Sequence, residues 1–162
     1  MIRHVFFSFH YQQDICRVSQ VRERWRLRGQ TNIFLDPLSW EAVKRQGPMT
    51  IKSWIARQMD GTSVTVVLIG EHTARRRYVK FEIERSISEG KGILGIYIDG
   101  IRDGDGHLSA RGRNPLESLS GSIPRQPLSL FRTYDWVRDD GPANMVDWIE
   151  EAARGKELGA PW

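Results

Sequence analysis

Apolar residues fall in short blocks along the chain, and the blocks alternate between two spacings. Val5-Phe6-Phe7-Ser8-Phe9 is a nearly unbroken apolar run and predicts a first strand. From Gln13 to Arg28 the apolar residues Ile15, Val18, Val21 and Trp25 recur at helical spacing, with arginines on the other faces and Gly29 as a stop. Asn32-Ile33-Phe34-Leu35 predicts a second strand, which Asp36-Pro37 breaks. Residues 36–47 read as a loop closed by Gly47-Pro48. Ile51, Trp54, Ile55 and Met59 then mark one side of a second helix, which ends at Gly61-Thr62-Ser63. Val64 to Ile69 is β-branched and apolar nearly throughout. A strand apolar on both faces belongs at the centre of a parallel sheet.

A third helix is expected from about Thr73 to Glu89, and Ile93 to Ile98 makes a fourth strand. Residues 100–130 are rich in Gly, Pro, Ser and Arg with weak periodicity, a long excursion of the kind that is often functional. Phe131 to Val137 is the fifth strand. Pro142 to Arg154 is the closing helix, with Met145, Trp148 and Ile149 inward, and 155–162 is expected to be a loose tail. Alternating strands and helices imply right-handed crossovers and one α/β domain over residues 1–154. The architecture expected is a three-layer, flavodoxin-like sandwich on a mainly parallel five-stranded sheet of order 2-1-3-4-5. Ligands bind such sheets beyond the carboxyl ends of the strands, at the switch between the first and third. Ser8 to Tyr11, the loop from Asp36 to Gly47 and the segment from Gly70 to Tyr78 should meet there.

Composition narrows the partners. The 162 residues carry 24 basic and 20 acidic side chains, a net charge of +4. So mild an excess tolerates an anionic ligand and gives no reason to expect nucleic acid. Cys16 is the only cysteine, so no intramolecular disulfide forms, which fits a reducing compartment. Met1 to Phe6 runs into strand-like sequence without a signal-peptide layout, and no apolar run approaches the roughly 20 residues that span a bilayer. A soluble cytoplasmic protein without membrane contact is the expectation.

Two motifs are decoys. Gly90-Lys91-Gly92-Ile93-Leu94-Gly95 spells G-x-G-x-x-G, but it leaves a helix and enters a strand, so no helix N-terminus faces a pyrophosphate. A helix cap and turn account for it. Asp103-Gly104-Asp105-Gly106 has no Glu at the twelfth position of a calcium loop and reads as a tight turn. His4, His10, His72 and His107 show no metal-ligand spacing, so no metal site is expected.

Glu82 is the sharper feature. It lies at the edge of a helical stripe made by Val79, Ile83, Ser86 and Ile87. A carboxylate there either pairs with Arg85 or another arginine at the rim, or holds a ligand. Arg75-Arg76-Arg77, expected in the first helical turn, is either a solvated basic run or a phosphate clamp. Trp40, in a polar loop, either caps the core or stacks on a ligand ring. Asp36 either caps its loop or bonds a ligand hydroxyl.

Taken together, these segments resemble the TIR domain, and specifically the TIR-like proteins of bacterial Thoeris antiphage defence. Val5 to Tyr11 resembles the family's first strand, and Asp36 with Trp40-Glu41-Ala42-Val43-Lys44 its loop after the second strand. Thr62 to Gly70 resembles its third strand. Tyr78-Val79-Lys80-Phe81-Glu82-Ile83 is similar to the W-V-x-x-E-I segment of NAD-cleaving TIR domains, with Tyr for Trp. Gly92 to Tyr97 and Arg111-Gly112-Arg113-Asn114-Pro115 resemble later motifs. The resemblance covers about residues 4–115.

It implies that Glu82 is the catalytic glutamate of an NAD glycohydrolase or ADP-ribosyl cyclase, with NAD as substrate and no bound cofactor. It implies substrate contacts from Phe6, Ser8, Phe9, His10, Asp36, Trp40, Arg75, Arg77 and Tyr78. It also implies a cyclic ADP-ribose-type product that activates a partner effector, and a homo-oligomer when active. Two other readings stand beside this one: a non-catalytic TIR-like adaptor that signals by assembly, and a nucleoside deoxyribosyltransferase-like enzyme that also grips ribose with a glutamate.

Overall fold

Val64–Ile69 is buried at all six positions because strands lie on both sides of it and helices on both faces. The computed structural model describes residues 3–27, 32–33, 42–117 and 131–157. The elements are β1 (Val5–Ser8), α1 (Tyr11–Leu27), β2 (Asn32–Ile33), α2 (Pro48–Met59), β3 (Val64–Ile69), a 3-10 turn (Thr73–Arg75), α3 (Arg77–Ser88), β4 (Gly92–Tyr97), β5 (Thr133–Asp135) and α4 (Gly141–Glu157). Every strand pairing is parallel. The core of the sheet is β1, β3, β4 and β5, adjacent in that order, and the two residues of β2 pair in parallel with β1.

The period of two along each strand sorts the core into layers. Val5, Phe7, Val66, Leu68, Leu94 and Ile96 pack with Val18, Val21 and Trp25 of α1 and with Met145, Trp148 and Ile149 of α4. On the other face, Val67, Ile69 and Ile93 meet Val79 and Ile83 of α3, and Phe6 meets Ile51, Ile55 and Met59 of α2. The α/β class with a parallel sheet is therefore as expected. Register places Ser8 beside Val67, so Ser8 looks toward the α3 side.

Several boundaries differ from expectation. The third helix is split: Thr73–Arg75 forms a 3-10 turn, Arg76 is extended, and α3 begins at Arg77. Only Arg77 of the three arginines therefore lies within α3. The fifth strand is confined to Thr133–Asp135, because Trp136 to Asp140 turns into the last helix. That helix runs to Glu157, so the start of the expected tail is helical; residues 158–162 lie outside the described residues, as do 34 and 35 of the second strand.

The described part of the excursion after β4 is tied down. The buried Arg17 donates to the carbonyls of Ile101 (2.8 Å) and His107 (2.9 Å). Asp103 accepts the N–H groups of Asp105 and His107, which makes the expected turn. That turn also gathers Asp103, Asp105 and His107 with ligand atoms within 4.8 Å, a proximity that spacing along the chain did not reveal. Gly90, at φ +67°, caps α3 as expected of the decoy motif. Gly92 lets α4 lie on β4: a Cβ there would sit 2.6 Å from the Ala152 carbonyl oxygen. Gly92→Ala should therefore cost about 1–3 kcal/mol through overpacking. Urea unfolding measures it, and an unchanged midpoint would contradict this packing.

Candidate active site

The inner side of α3 carries a polar patch inside an otherwise apolar interface. Val79, Glu82, Ile83 and Ser86 are its buried residues, the spacing of one helical face. Glu82 is 4% exposed and accepts a hydrogen bond from the Ser8 hydroxyl at the end of β1. Behind it, Ser86 donates to the Glu82 carbonyl oxygen (2.7 Å) and meets the Thr65 hydroxyl at 2.7 Å. Of the two alternatives for Glu82, pairing with Arg85 does not form. Arg85 lies 2.8 Å from Glu89 and 3.9 Å from Asp60, and among the described residues no cation pairs with Glu82. Burial therefore pushes its carboxyl up to about 8, and the Ser8 hydrogen bond opposes that rise only in part. The group is therefore mostly protonated at pH 7.

Phe6 lies on the same face of β1 as Ser8, fully buried among Ile51, Ile55 and Met59, with Tyr78 and Phe81 at the margin. Phe9 does not join Ser8. It is 8% exposed and belongs to the opposite core, its ring 6.1 Å from that of Tyr11. Strand alternation explains the separation. His10 is half-buried at the start of α1. Burial and then the Arg76 charge hold its imidazole below the ordinary value, so it is neutral at pH 7.

Arg75 and Arg77 are exposed. Arg77 lies over the Tyr78 ring, 4.8 Å from its centroid, and donates to the Tyr78 hydroxyl (2.6 Å). Tyr78 in turn packs against the Phe6 cluster. The structure thus brings Phe6, Ser8, Glu82 and Tyr78 to one face, with Arg77 at its edge. Asp36 and Trp40 lie outside the described residues.

Sequence reasoning missed Asp14. Its side chain is buried in the first turn of α1, with Oδ1 unpartnered and Oδ2 3.5 Å from the Thr73 hydroxyl. The Thr73 hydroxyl also accepts the Gly70 N–H (2.8 Å), and Gly70 leaves no room for a Cβ because the Asp14 carboxyl occupies that space. Burial raises Asp14 to about 6 against the opposing pull of Arg17. The signal was present: Asp14, Val18, Val21 and Trp25 form one helical stripe. Asp14 and Thr73 thus lie together against Gly70 at the carboxyl end of β3.

Among the described residues no helix is long and apolar enough to cross a membrane. Residues 6–103 match the model of the Thoeris protein ThsB TIR-like domain. A protein of Bacillus cereus (strain MSX-D12) named "Putative cyclic ADP-D-ribose synthase ThsB1" is 32% identical over a 191-residue alignment that covers 92% of this chain and 100% of that one. Ser8, Asp14, Thr73 and Glu82 all lie inside the matched region, and the chain belongs to the Thoeris ThsB TIR-like family.

Proposed function

We propose that this protein cleaves the bond between nicotinamide and ribose in NAD, and that it makes a cyclic ADP-ribose-type signal which activates an effector in antiphage defence. The observation that carries this reading is the buried Ser8–Glu82 pair, a carboxyl with no cation partner among the described residues, at the carboxyl edge where ligands meet such sheets. The relative's name points the same way.

The chemistry suits the residues. Nicotinamide in NAD is a cationic pyridinium, and it departs as a neutral molecule with the electron pair of the glycosidic bond. The ribose left behind develops oxocarbenium character. A carboxylate that accepts its hydroxyl protons orients the sugar and stabilises that charge. Substrate arrival brings a positive charge to a carboxyl that the empty protein keeps protonated, so binding favours release of that proton. Ser8 holds the carboxylate in place. C1′ is then captured by water, giving ADP-ribose, or by the substrate's own distal nucleoside, giving the cyclic product. Either capture releases one proton. An enclosed site favours the internal nucleophile.

Phe6 supports the floor from below, His10 stands at its rim, and Arg75 and Arg77 supply cations for the diphosphate. Asp36 and Trp40, which lie outside the described residues, belong to the proposed set. The reading includes a cytoplasmic protein with no resident cofactor that assembles with its own copies when active, on the TIR-type five-stranded order of which Asn32–Ile33 is the second strand.

Incubation with NAD, with and without phage-infected lysate, should yield nicotinamide and a cyclic ADP-ribose isomer by mass spectrometry. If neither condition yields nicotinamide, signalling by assembly alone replaces the enzymatic reading. Glu82→Gln should lower nicotinamide release at least about 100-fold while leaving circular dichroism unchanged. The free protein's kcat/KM should climb with pH through a limb near 8, as the carboxylate forms. Ser8→Ala removes the hydrogen bond that favours the ionised form and should move that limb to higher pH. A limb that stays put or moves down would exclude Ser8 from this role.

A further inference from the structure

A cavity of about 400 Å³ opens beyond the end of β4, lined by Tyr97, Gly112, Arg113, Asn114 and Glu117. It is separate from the Ser8–Glu82 pair. The sheet places β3 between β1 and β4, so the two strand ends are two spacings apart, about 10 Å. Both lie on the same side of the sheet: Tyr97 packs against the cluster containing Val79 and Ile83 of α3, the helix that carries Glu82.

The walls are built and fixed. Asn114 is buried, and its amide is used at both ends, donating to Thr133 Oγ1 (3.0 Å) and accepting the Leu116 N–H (3.0 Å). Gly112 is wedged against the carbonyls of Gly70 and Glu71, which joins this wall to the turn leading into Arg75 and Arg77. Arg111 lies over the Tyr97 ring, 4.1 Å from its centroid, and is tethered by Asp99 and Asp135. Two charges remain on the exposed rim, Arg113 and Glu117, and among the described residues neither is in an ion pair. The volume is in the range that holds a nucleoside-sized ligand.

A ligand that satisfies this rim needs an anion for Arg113, an N–H donor for Glu117 and a flat body for the wall between them. An amino-purine nucleotide has all three. We propose that this cavity takes the adenylate half of NAD: the purine enters beside Tyr97, its exocyclic amine faces Glu117, and phosphate faces Arg113. The dinucleotide then runs along the carboxyl edge, from Ser8 and Glu82 past the Gly70 turn to β4. This inference rests on the NAD-cleaving reading and deepens it. An anchored distal nucleoside stays near C1′ after nicotinamide leaves, so the cavity biases capture toward the cyclic product and away from water.

The test uses the full chain with Arg113→Ala and Glu117→Lys, both at exposed positions. Adenosine monophosphate, titrated calorimetrically, should bind the wild type and bind each variant about tenfold more weakly. The preference for NAD over nicotinamide mononucleotide, as a ratio of kcat/KM, should fall by a similar factor, and linear ADP-ribose should gain on the cyclic product. Equal adenosine monophosphate binding by wild type and variants, or an unmoved preference ratio, overturns the proposal. A wild type that cleaves neither substrate, with phage-infected lysate as well as without it, refutes the enzymatic reading, and the calorimetric comparison then judges the cavity alone.

Discussion

The hydrogen bond from Ser8 to Glu82 joins the first strand to the helix after the third across 74 positions of sequence. A buried carboxyl tolerates little error in its surroundings, because any other placement leaves it unpaired or forces in water. It therefore fixes the register of α3 on the sheet. Val79 and Ile83 fill the apolar interface on either side of it, and the Thr65–Ser86 hydroxyl pair occupies the next turn below. An arginine in place of Ser8 would balance the charge of the carboxylate and hold it ionised. A hydroxyl leaves it neutral and responsive.

The same carboxyl edge gathers the rest. Asp14, Thr73 and Gly70 interlock at the top of β3, and Gly112 presses on the carbonyls of Gly70 and Glu71 from the far side. One turn is thus gripped from α1 and from the segment after β4. The described part of a weakly patterned stretch of the chain becomes part of this edge, held by Arg17 and Asn114.

Strands were the most legible part of the sequence. Val64–Ile69 is apolar on both faces, and only a central parallel strand satisfies that pattern. Glu82 was legible as an anomaly because it interrupts the margin of an apolar stripe. Its isolation was not, since Arg85 is close enough along the helix to pair and is drawn off by Glu89 and Asp60. The break before α3 was hidden as well. Thr73 turns its hydroxyl to the Gly70 N–H, and Arg76 becomes extended, through contacts that no local propensity records. Asp14 looked like an ordinary acidic residue in a helix's first turn, where the dipole alone would explain it. Phe9 was placed with Ser8 by adjacency, whereas the two-residue period of a strand sends neighbours to opposite faces.

Asp14 and Glu82 share a property that reaches beyond the site. Each holds its proton more tightly in the folded chain than a free carboxyl does, to about 6 and about 8. On the acid side of neutrality both groups, and at neutrality Glu82, therefore keep protons that the unravelled chain surrenders. Folding draws acid from the medium and unfolding returns it, and the stability these two groups lend is greatest in acid and fades as the medium turns alkaline. In a weakly buffered solution, a pH electrode would register the protein coming apart.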